Sequence, residues 1–201
     1  MSRASERNDI EHFNRWSHTY EDSLLQRFFF DRVHQGVLKL VANRTEPGSI
    51  LDVGCGTGRL LRDARARWPG AELIGVDPAN GMVEVARRLT PGATFYVGMA
   101  EALPLPDASV DVALSTISFH HWKDQAAGVR EVARVLRPEG YFFLTDVSVP
   151  AWLHRFIHQP RVHSPARMRT LFMDAGLNVL MQQAVFSPYV LVTVGACSRD
   201  S

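Results

Sequence analysis

The feature that most constrains this chain is an apolar run, Ile50-Leu51-Asp52-Val53, that passes straight into alternating glycines, Gly54-Cys55-Gly56-Thr57-Gly58. Glycine at alternate positions permits backbone angles that a Cβ forbids and lets main chain approach a ligand closely. Arg59 to Trp68 then reads as a helix whose first N–H groups face the same space. A strand, a glycine turn and a helix in that order imply a parallel α/β sheet with a ligand above the strand end. A dinucleotide fingerprint needs a third glycine three positions after Gly56, but Arg59 stands there, which disfavours a pyrophosphate cradle and with it a nicotinamide-linked oxidoreductase.

Alternation continues downstream. Leu73–Val76, Thr94–Val97, Val110–Leu114 and Tyr141–Asp146 read as further strands, with helices over Met82–Leu89 and Gln125–Leu136, the latter ended by Pro138-Glu139-Gly140. Pro165–Ala175 is a helix stopped by Gly176, and Asn178–Gln183 and Tyr189–Ala196 are strands joined by a turn at Ser187-Pro188. Ile10 to about Ala42 reads as helical, with Asp22 or Ser23 as a cap. A chain of 201 residues suits one domain, in which about 70% of the unfolded surface can be buried. It divides into an N-terminal helical cap (1–46), a core (47–148) and a short insert with a helix and terminal strands (149–201).

Composition narrows the function class. A net charge of +1 gives no general attraction to nucleic acid or anionic membrane, and no basic stripe is present, so a small-molecule partner is expected. No segment approaches the ~18 apolar residues of a membrane helix, and the N-terminus lacks the apolar core of a secretory signal. Two cysteines, Cys55 and Cys197, give no disulfide framework and suggest a reducing, cytoplasmic setting. A homodimer is compatible with the sequence.

Ligands in open α/β sheets sit at the carboxyl ends of the strands. Asp77 ends the second strand, 21 residues after Gly56, where a carboxylate can accept from both hydroxyls of a ribose or simply shape the turn before Pro78. Ser115 to Trp122 leaves the fourth strand with adjacent His120 and His121, and Asp146 ends the fifth. A carboxylate on the neighbouring strand can orient an imidazole and stabilise its protonated form; the partner is His121, or His120 if the register differs by one. No G-x-S-x-G elbow supports serine hydrolysis, His154 and His158 lack a third metal ligand, and Arg59, Arg62, Arg65 and Arg67 read as a solvated helix face.

Asp52-Val53-Gly54-Cys55-Gly56-Thr57-Gly58 resembles the first motif of class I S-adenosylmethionine (SAM)-dependent methyltransferases, and the ordered motifs over residues 10 to 148 are similar to the ubiquinone/menaquinone-biosynthesis (methyltransferase type 11) branch. The resemblance implies a Rossmann-like, doubly wound, seven-stranded, mostly parallel α/β sheet with an antiparallel C-terminal hairpin and helices on both faces. It implies SAM as cofactor, S-adenosylhomocysteine as product and no metal. In the family Asp52 organises the loop and faces the cofactor's amino group, although a purely structural carboxylate is the alternative. Met99-Ala100-Glu101 resembles the adenine-binding segment; the family often has an acidic residue in place of Met99, so the adenine contact would fall to Glu101 or water, with Ala100 offering its amide. Met82 matches an adenine-packing position or the core, and Tyr20 an N-terminal aromatic that closes over the methyl donor or packs inside. Cys55, Pro78 and Ser115 complete the implied cofactor set.

The expected function is methyl transfer to a small, planar or anionic acceptor, an aromatic and basic set from Trp152 to Arg161 lying in the short insert. O-methylation is slightly favoured over N- or C-methylation because a His–Asp pair could take a hydroxyl proton. The rival reading is a SAM-binding sensor or the non-catalytic partner of another subunit.

Overall fold

The computed structural model describes residues 24–148 and 164–198. Seven strands form one sheet in the order β3-β2-β1-β4-β5-β7-β6: β1 (Ser49–Val53), β2 (Glu72–Asp77), β3 (Thr94–Val97), β4 (Val110–Thr116), β5 (Leu136–Val147), β6 (Leu177–Val185) and β7 (Ser187–Cys197). The first five pair in parallel, and β7 runs antiparallel to both β5 and β6. Order reverses between β1 and β4, which opens a crevice at their carboxyl ends.

Five helices cover the sheet among the described residues: α1 (Leu24–Ala42), α2 (Arg59–Arg67), α3 (Asn80–Leu89), α4 (Gln125–Val135) and α5 (Pro165–Asp174). Every residue of β1 is buried, as a central parallel strand covered on both faces requires. Alternation along the strands feeds two cores. Ile50, Val112, Leu114 and Phe143 pack with Val33, Val37 and Val41 of α1 and Leu60, Leu61 and Ala64 of α2. Leu51, Ala113, Phe142 and Leu144 pack on the other side with Val129 and Val132 of α4 and Met168 and Phe172 of α5. α1, α2 and α3 therefore lie on one face, α4 and α5 on the other.

Local chemistry sets the boundaries. Asp124 caps α4 by accepting from the Ala127 amide at 2.9 Å, and Ser164 caps α5 ahead of Pro165. α2 and α3 have no side-chain cap, so their first turns are served otherwise.

Two boundaries and one helix face depart from the reading of the sequence. α4 stops at Val135, and Leu136-Arg137-Pro138-Glu139-Gly140 already belongs to β5, because Leu136 pairs with Val110 before the register shifts. The β6–β7 turn falls at Phe186, held at φ 66 with Val185 opposite Ser187; Ser187 and Pro188 lie inside β7. The arginines of α2 are only in part a solvated face, since Arg67 is exposed but the other three reach back to the protein. Arg59 pairs with Asp31 of α1 at 2.7 Å, Arg62 donates to the Thr57 carbonyl at 2.6 Å, Arg65 donates to the Gly92 carbonyl at 2.7 Å, and Arg67 lies over the Trp68 ring. Side chains long enough to reach back to loop carbonyls satisfy groups that water would otherwise serve. Asp22, Ser23 and the insert with Trp152, His154, His158 and Arg161 lie outside the described residues.

Candidate active site

A cavity of about 310 Å³ lies over the carboxyl ends of β1, β2 and β4. Its frame is the glycine loop. Gly54 (φ 78) and Gly56 (φ 51) both adopt left-handed angles, and the Gly54 and Cys55 amides donate to the Val76 carbonyl at 2.8 and 3.1 Å, which ties the loop to β2. A Cβ on Gly56 would meet no atom within 4 Å, so it would project into open cavity, whereas a Cβ on Gly54 would collide with Ser118.

Asp77 clamps this loop. Its Oδ2 accepts from the Gly56 amide and its Oδ1 from the Ala79 amide, both at 2.9 Å. Each oxygen keeps a further lone pair for a donor in the cavity. Burial raises the Asp77 carboxyl to about 6 against the pull of those two amides. Asp52, with 3% of its surface exposed, is raised further, to about 8, first by desolvation and then by the Asp77 charge. The Cys55 thiol is pushed well above its ordinary range by burial and by the same two carboxylates, so it stays protonated. A cation entering this corner would relieve the repulsion.

Met82, Pro78, Met99, Ala100 and Glu101 also line the cavity. Glu101 is anchored at the head of α4, accepting from the Asp124 amide at 2.8 Å. The loop beyond it is held by Glu131, which accepts from the Leu103 amide, and by Arg134, which donates to the carbonyls of Leu103 and Leu105.

Opposite the acidic corner stand His120 and His121, in a single 3-10 turn, Phe119–His121, after β4. β4 and β5 are paired neighbours with Thr116 opposite Thr145, so Asp146 reaches this turn. It is His120 that it holds. The His120 amide donates to Asp146 Oδ2 at 2.9 Å, and His120 Nδ1 lies 2.8 Å from Asp146 Oδ1. A carboxylate only accepts, so the imidazole proton sits on Nδ1 and Nε2 is left as the acceptor. His121, the first choice on sequence, stacks tilted on His120 with ring centroids 4.1 Å apart and does not make the pair; the tight turn presents the earlier histidine to β5.

Two other expected residues sit differently. Asp146 is 1% exposed and stands behind His120, outside the cavity lining. Ser115 is fully buried, its hydroxyl 2.8 Å from that of Ser118, and it is Ser118 that faces the cavity. Strand alternation turns Ser115 away and brings Thr116 forward. Tyr20 lies outside the described residues.

The sequence reading missed the wall supplied by α1. Phe30 and His34 line the cavity, His34 Nδ1 lying 3.3 Å from Asp63 of α2, and Arg59 lines it beside its Asp31 contact. The apolar phase of α1 runs through Phe29, Val33 and Val37 and passes Phe30 and His34 by, so no periodic signal marked them.

The residues fit SAM. Main chain opens onto a cavity where a Gly56 side chain would intrude, buried carboxylates await hydroxyls and a cation, and the buried Thr116 hydroxyl in the lining has no partner among the described residues.

The methyltransferase-domain family model matches residues 51–144. The chain is 31% identical to a malonyl-[acyl-carrier protein] O-methyltransferase of Dechloromonas aromatica over 88% of its own length and 68% of that protein's. It is 36% identical to a demethylmenaquinone methyltransferase of Chlorobaculum parvum over 56% of its length and 46% of the relative's. A Haloferax volcanii methyltransferase solved with the Trm112 methyltransferase activator superposes with a TM-score of 0.77 at 26% identity, covering 93% of this chain and 98% of that one. With the sheet order, the glycine loop and these relatives agreeing, the chain belongs to the class I SAM-dependent methyltransferases, in the methyltransferase type 11 branch.

Proposed function

We propose that this methyltransferase acts on a small-molecule acceptor and methylates an oxygen. The observation that carries the reading is the His120–Asp146 pair, with Nδ1 committed to the carboxylate and the ring at the cavity lining. Two relatives, named as a malonyl-[acyl-carrier protein] O-methyltransferase and a demethylmenaquinone methyltransferase, are consistent with a non-nucleic-acid acceptor.

Asp77 would accept from the ribose hydroxyls of SAM, and Asp52 would face its ammonium group. Met82, Pro78, Met99, Ala100 and Glu101 would enclose the adenine, beside the loop of Gly54, Cys55 and Gly56. Bound SAM supplies an electrophilic methyl group on a sulfonium. The chain's own contribution is alignment, for which ~7–11 kcal/mol is available from positioning, and a proton acceptor worth ~10²–10⁴ in rate. His120 Nε2 would take the proton of the acceptor hydroxyl as the oxygen lone pair becomes the new O–CH3 bond, with the electrons of the broken methyl–sulfur bond left on the sulfur of S-adenosylhomocysteine. Asp146 then holds the imidazolium, acting as a positioning residue without touching the acceptor.

The test is calorimetric titration with S-adenosylhomocysteine, followed by turnover of methyl-labelled SAM with a panel of small hydroxylated acceptors. Saturable binding and label recovered as O–CH3 are expected. Label confined to nitrogen or carbon products would remove the oxygen assignment, and no binding at millimolar ligand would remove the whole reading.

A further inference from the structure

The glycine loop and the histidine turn meet at Ser118. β1 and β4 are neighbours, with Asp52 opposite Leu114, so the loop that follows β1 and the turn that follows β4 leave the sheet side by side at the crevice. Ser118 Oγ lies 3.0 Å from the carbonyl of Val53, the residue before Gly54, and 2.8 Å from Ser115 Oγ. A carbonyl only accepts, so the Ser118 proton goes to Val53 and the fully buried Ser115 hydroxyl donates to Ser118. Both hydroxyls are thereby fixed, and a chain of hydrogen bonds runs from inside β4 to the root of the glycine loop.

The contact is also one of shape. A Cβ on Gly54 would collide with both the Cβ and the Oγ of Ser118, so the space a side chain would take at Gly54 is the space Ser118 occupies. Gly56 two residues on has no such neighbour.

The chain is bent to bring this about. Ile117 is β-branched yet held at φ 52, a conformation such residues rarely adopt. Strain of this kind persists only where the surroundings over-determine it, and here hydrogen bonds do so. The Ile117 amide donates to the Thr145 carbonyl at 2.8 Å, the His120 amide to Asp146 Oδ2 at 2.9 Å and the His121 amide to the Ser118 carbonyl at 2.9 Å. The first two tie the turn to β5. The Ser118 hydroxyl ties it to β1, and with it the strand end that carries His120 to the one that carries the cofactor loop.

We propose that Ser118 is a positioning residue for methyl transfer, holding the His120 turn in register with the cofactor loop through the Val53 carbonyl, with Ser115 as its support. Its one proton is committed to the chain itself, so it acts through the loop and the turn. A displacement of about 1 Å between reacting groups can cost ~10²-fold in rate, which is what such a link guards against. The inference rests on the methyltransferase reading and on His120 as the proton acceptor.

The experiment follows amide hydrogen exchange of the full chain with and without saturating S-adenosylhomocysteine, beside calorimetric affinity for the same ligand. In the parent the ligand should slow exchange in the glycine loop and, by ~3- to 10-fold, at the amides of Ile117, His120 and His121, the worth of one hydrogen bond. Ser118→Ala keeps the Cβ beside Gly54 and removes only the hydroxyl. It should leave the loop's protection and the affinity nearly unchanged while abolishing the gain at the turn. Ser115→Ala, which leaves Ser118 intact, should reduce that gain, and the double substitution should do no more than Ser118→Ala alone. Should Ser118→Ala fail to fold, Ser115→Ala carries the test, and an undiminished gain there overturns the proposal. A gain at the turn that persists in Ser118→Ala overturns it too, since another contact then carries the coupling. Protection lost equally from loop and turn without ligand would make the hydroxyl merely structural, and lost affinity would assign it to the cofactor; either result sinks the positioning role. A parent protected at the loop but not at the turn removes the link and leaves the methyltransferase reading intact, whereas a parent that does not bind S-adenosylhomocysteine at all removes both.

Discussion

The acidic end of the cavity and the end beneath α1 are built in different ways. The acidic end comes from short consecutive stretches, Asp52 to Gly56, Asp77 to Ala79 and Gly98 to Glu101, each a strand end with the turn that follows it. The other end joins Phe30 and His34 to Thr116 and His120, and behind His120 to Asp146, residues brought together only by the docking of α1 and the pairing of β4 with β5. One end is a local property of the chain and the other a tertiary one. The first should therefore tolerate changes elsewhere in the fold and fail on single backbone substitutions. The second should fail through chemistry while the cofactor still binds.

The sharpest separation comes from His120→Ala. If His120 Nε2 is the proton acceptor, turnover should fall ~10²–10⁴-fold while S-adenosylhomocysteine affinity stays put, and His121→Ala should cost much less. Calorimetry beside steady-state rates on any working acceptor reads both. Equal small losses in the two variants would make the histidines mere pocket walls.

The next effect belongs to the glycine loop. Gly54→Ala places a Cβ against Ser118 at a left-handed φ of 78, and should cost ~2–3 kcal/mol of stability through overpacking and backbone strain. Gly56→Ala meets no protein atom, so beyond the strain of φ 51 its damage should appear in cofactor affinity. Chemical denaturation with and without S-adenosylhomocysteine distinguishes them; an identical pattern for both would mean that Gly56 does not face the ligand.

This contrast also explains what the sequence could disclose. Gly56 and Asp77 were each legible as site residues because they lie at the ends of adjacent parallel strands, a spacing that the strand–helix alternation imposes, but the Gly56 amide donating to Asp77 was not foreseen. The β4–β5 neighbourhood was legible for the same reason and predicted a histidine beside Asp146. Which histidine was not, since a 3-10 turn decides it and no periodicity announces one. Ser115 was misplaced by one residue, and in a strand one residue is the opposite face. Arg59 and His34 were hidden because their partners, Asp31 and Asp63, come from a helix–helix contact between α1 and α2. The hairpin turn moved to Phe186 because strand pairing outweighed the turn preference of Ser187-Pro188.

A smaller effect should appear with pH. Asp52 and Asp77 are raised from 3.8 to about 8 and about 6, so the folded apo protein holds protons that the unfolded chain releases. Their contribution to stability is full below 3.8 and is lost as pH rises through about 6 and then about 8. Binding runs the other way. A ligand ammonium favours the ionised carboxylates, so S-adenosylhomocysteine should bind more tightly as pH rises toward about 8, approaching about tenfold per pH unit where one proton is released. Asp52→Asn should flatten both trends. Calorimetry in buffers of different ionisation enthalpy counts the proton directly, and affinity that does not change between pH ~6 and ~8 would leave Asp52 out of cation recognition.

The smallest expected change is Met99→Asp, which tests whether the local end is as self-contained as its construction implies. Met99 lines the cavity, is only partly buried, and closes a small bridge with Ala102 on the loop after β3. A thioether there packs against a ring face but accepts hydrogen bonds poorly. Aspartate would restore an acceptor for an exocyclic adenine amine at a position whose backbone is already fixed, so cofactor affinity should hold or improve by at most about tenfold, the worth of one good hydrogen bond. The fold should be little disturbed, because the side chain faces the cavity and not the core. A loss of several kcal/mol on thermal unfolding would instead mean that the new carboxylate is buried without a partner. The adenine end would then depend on packing from beyond its own loop, and the division between a local and a tertiary half of the site would not hold.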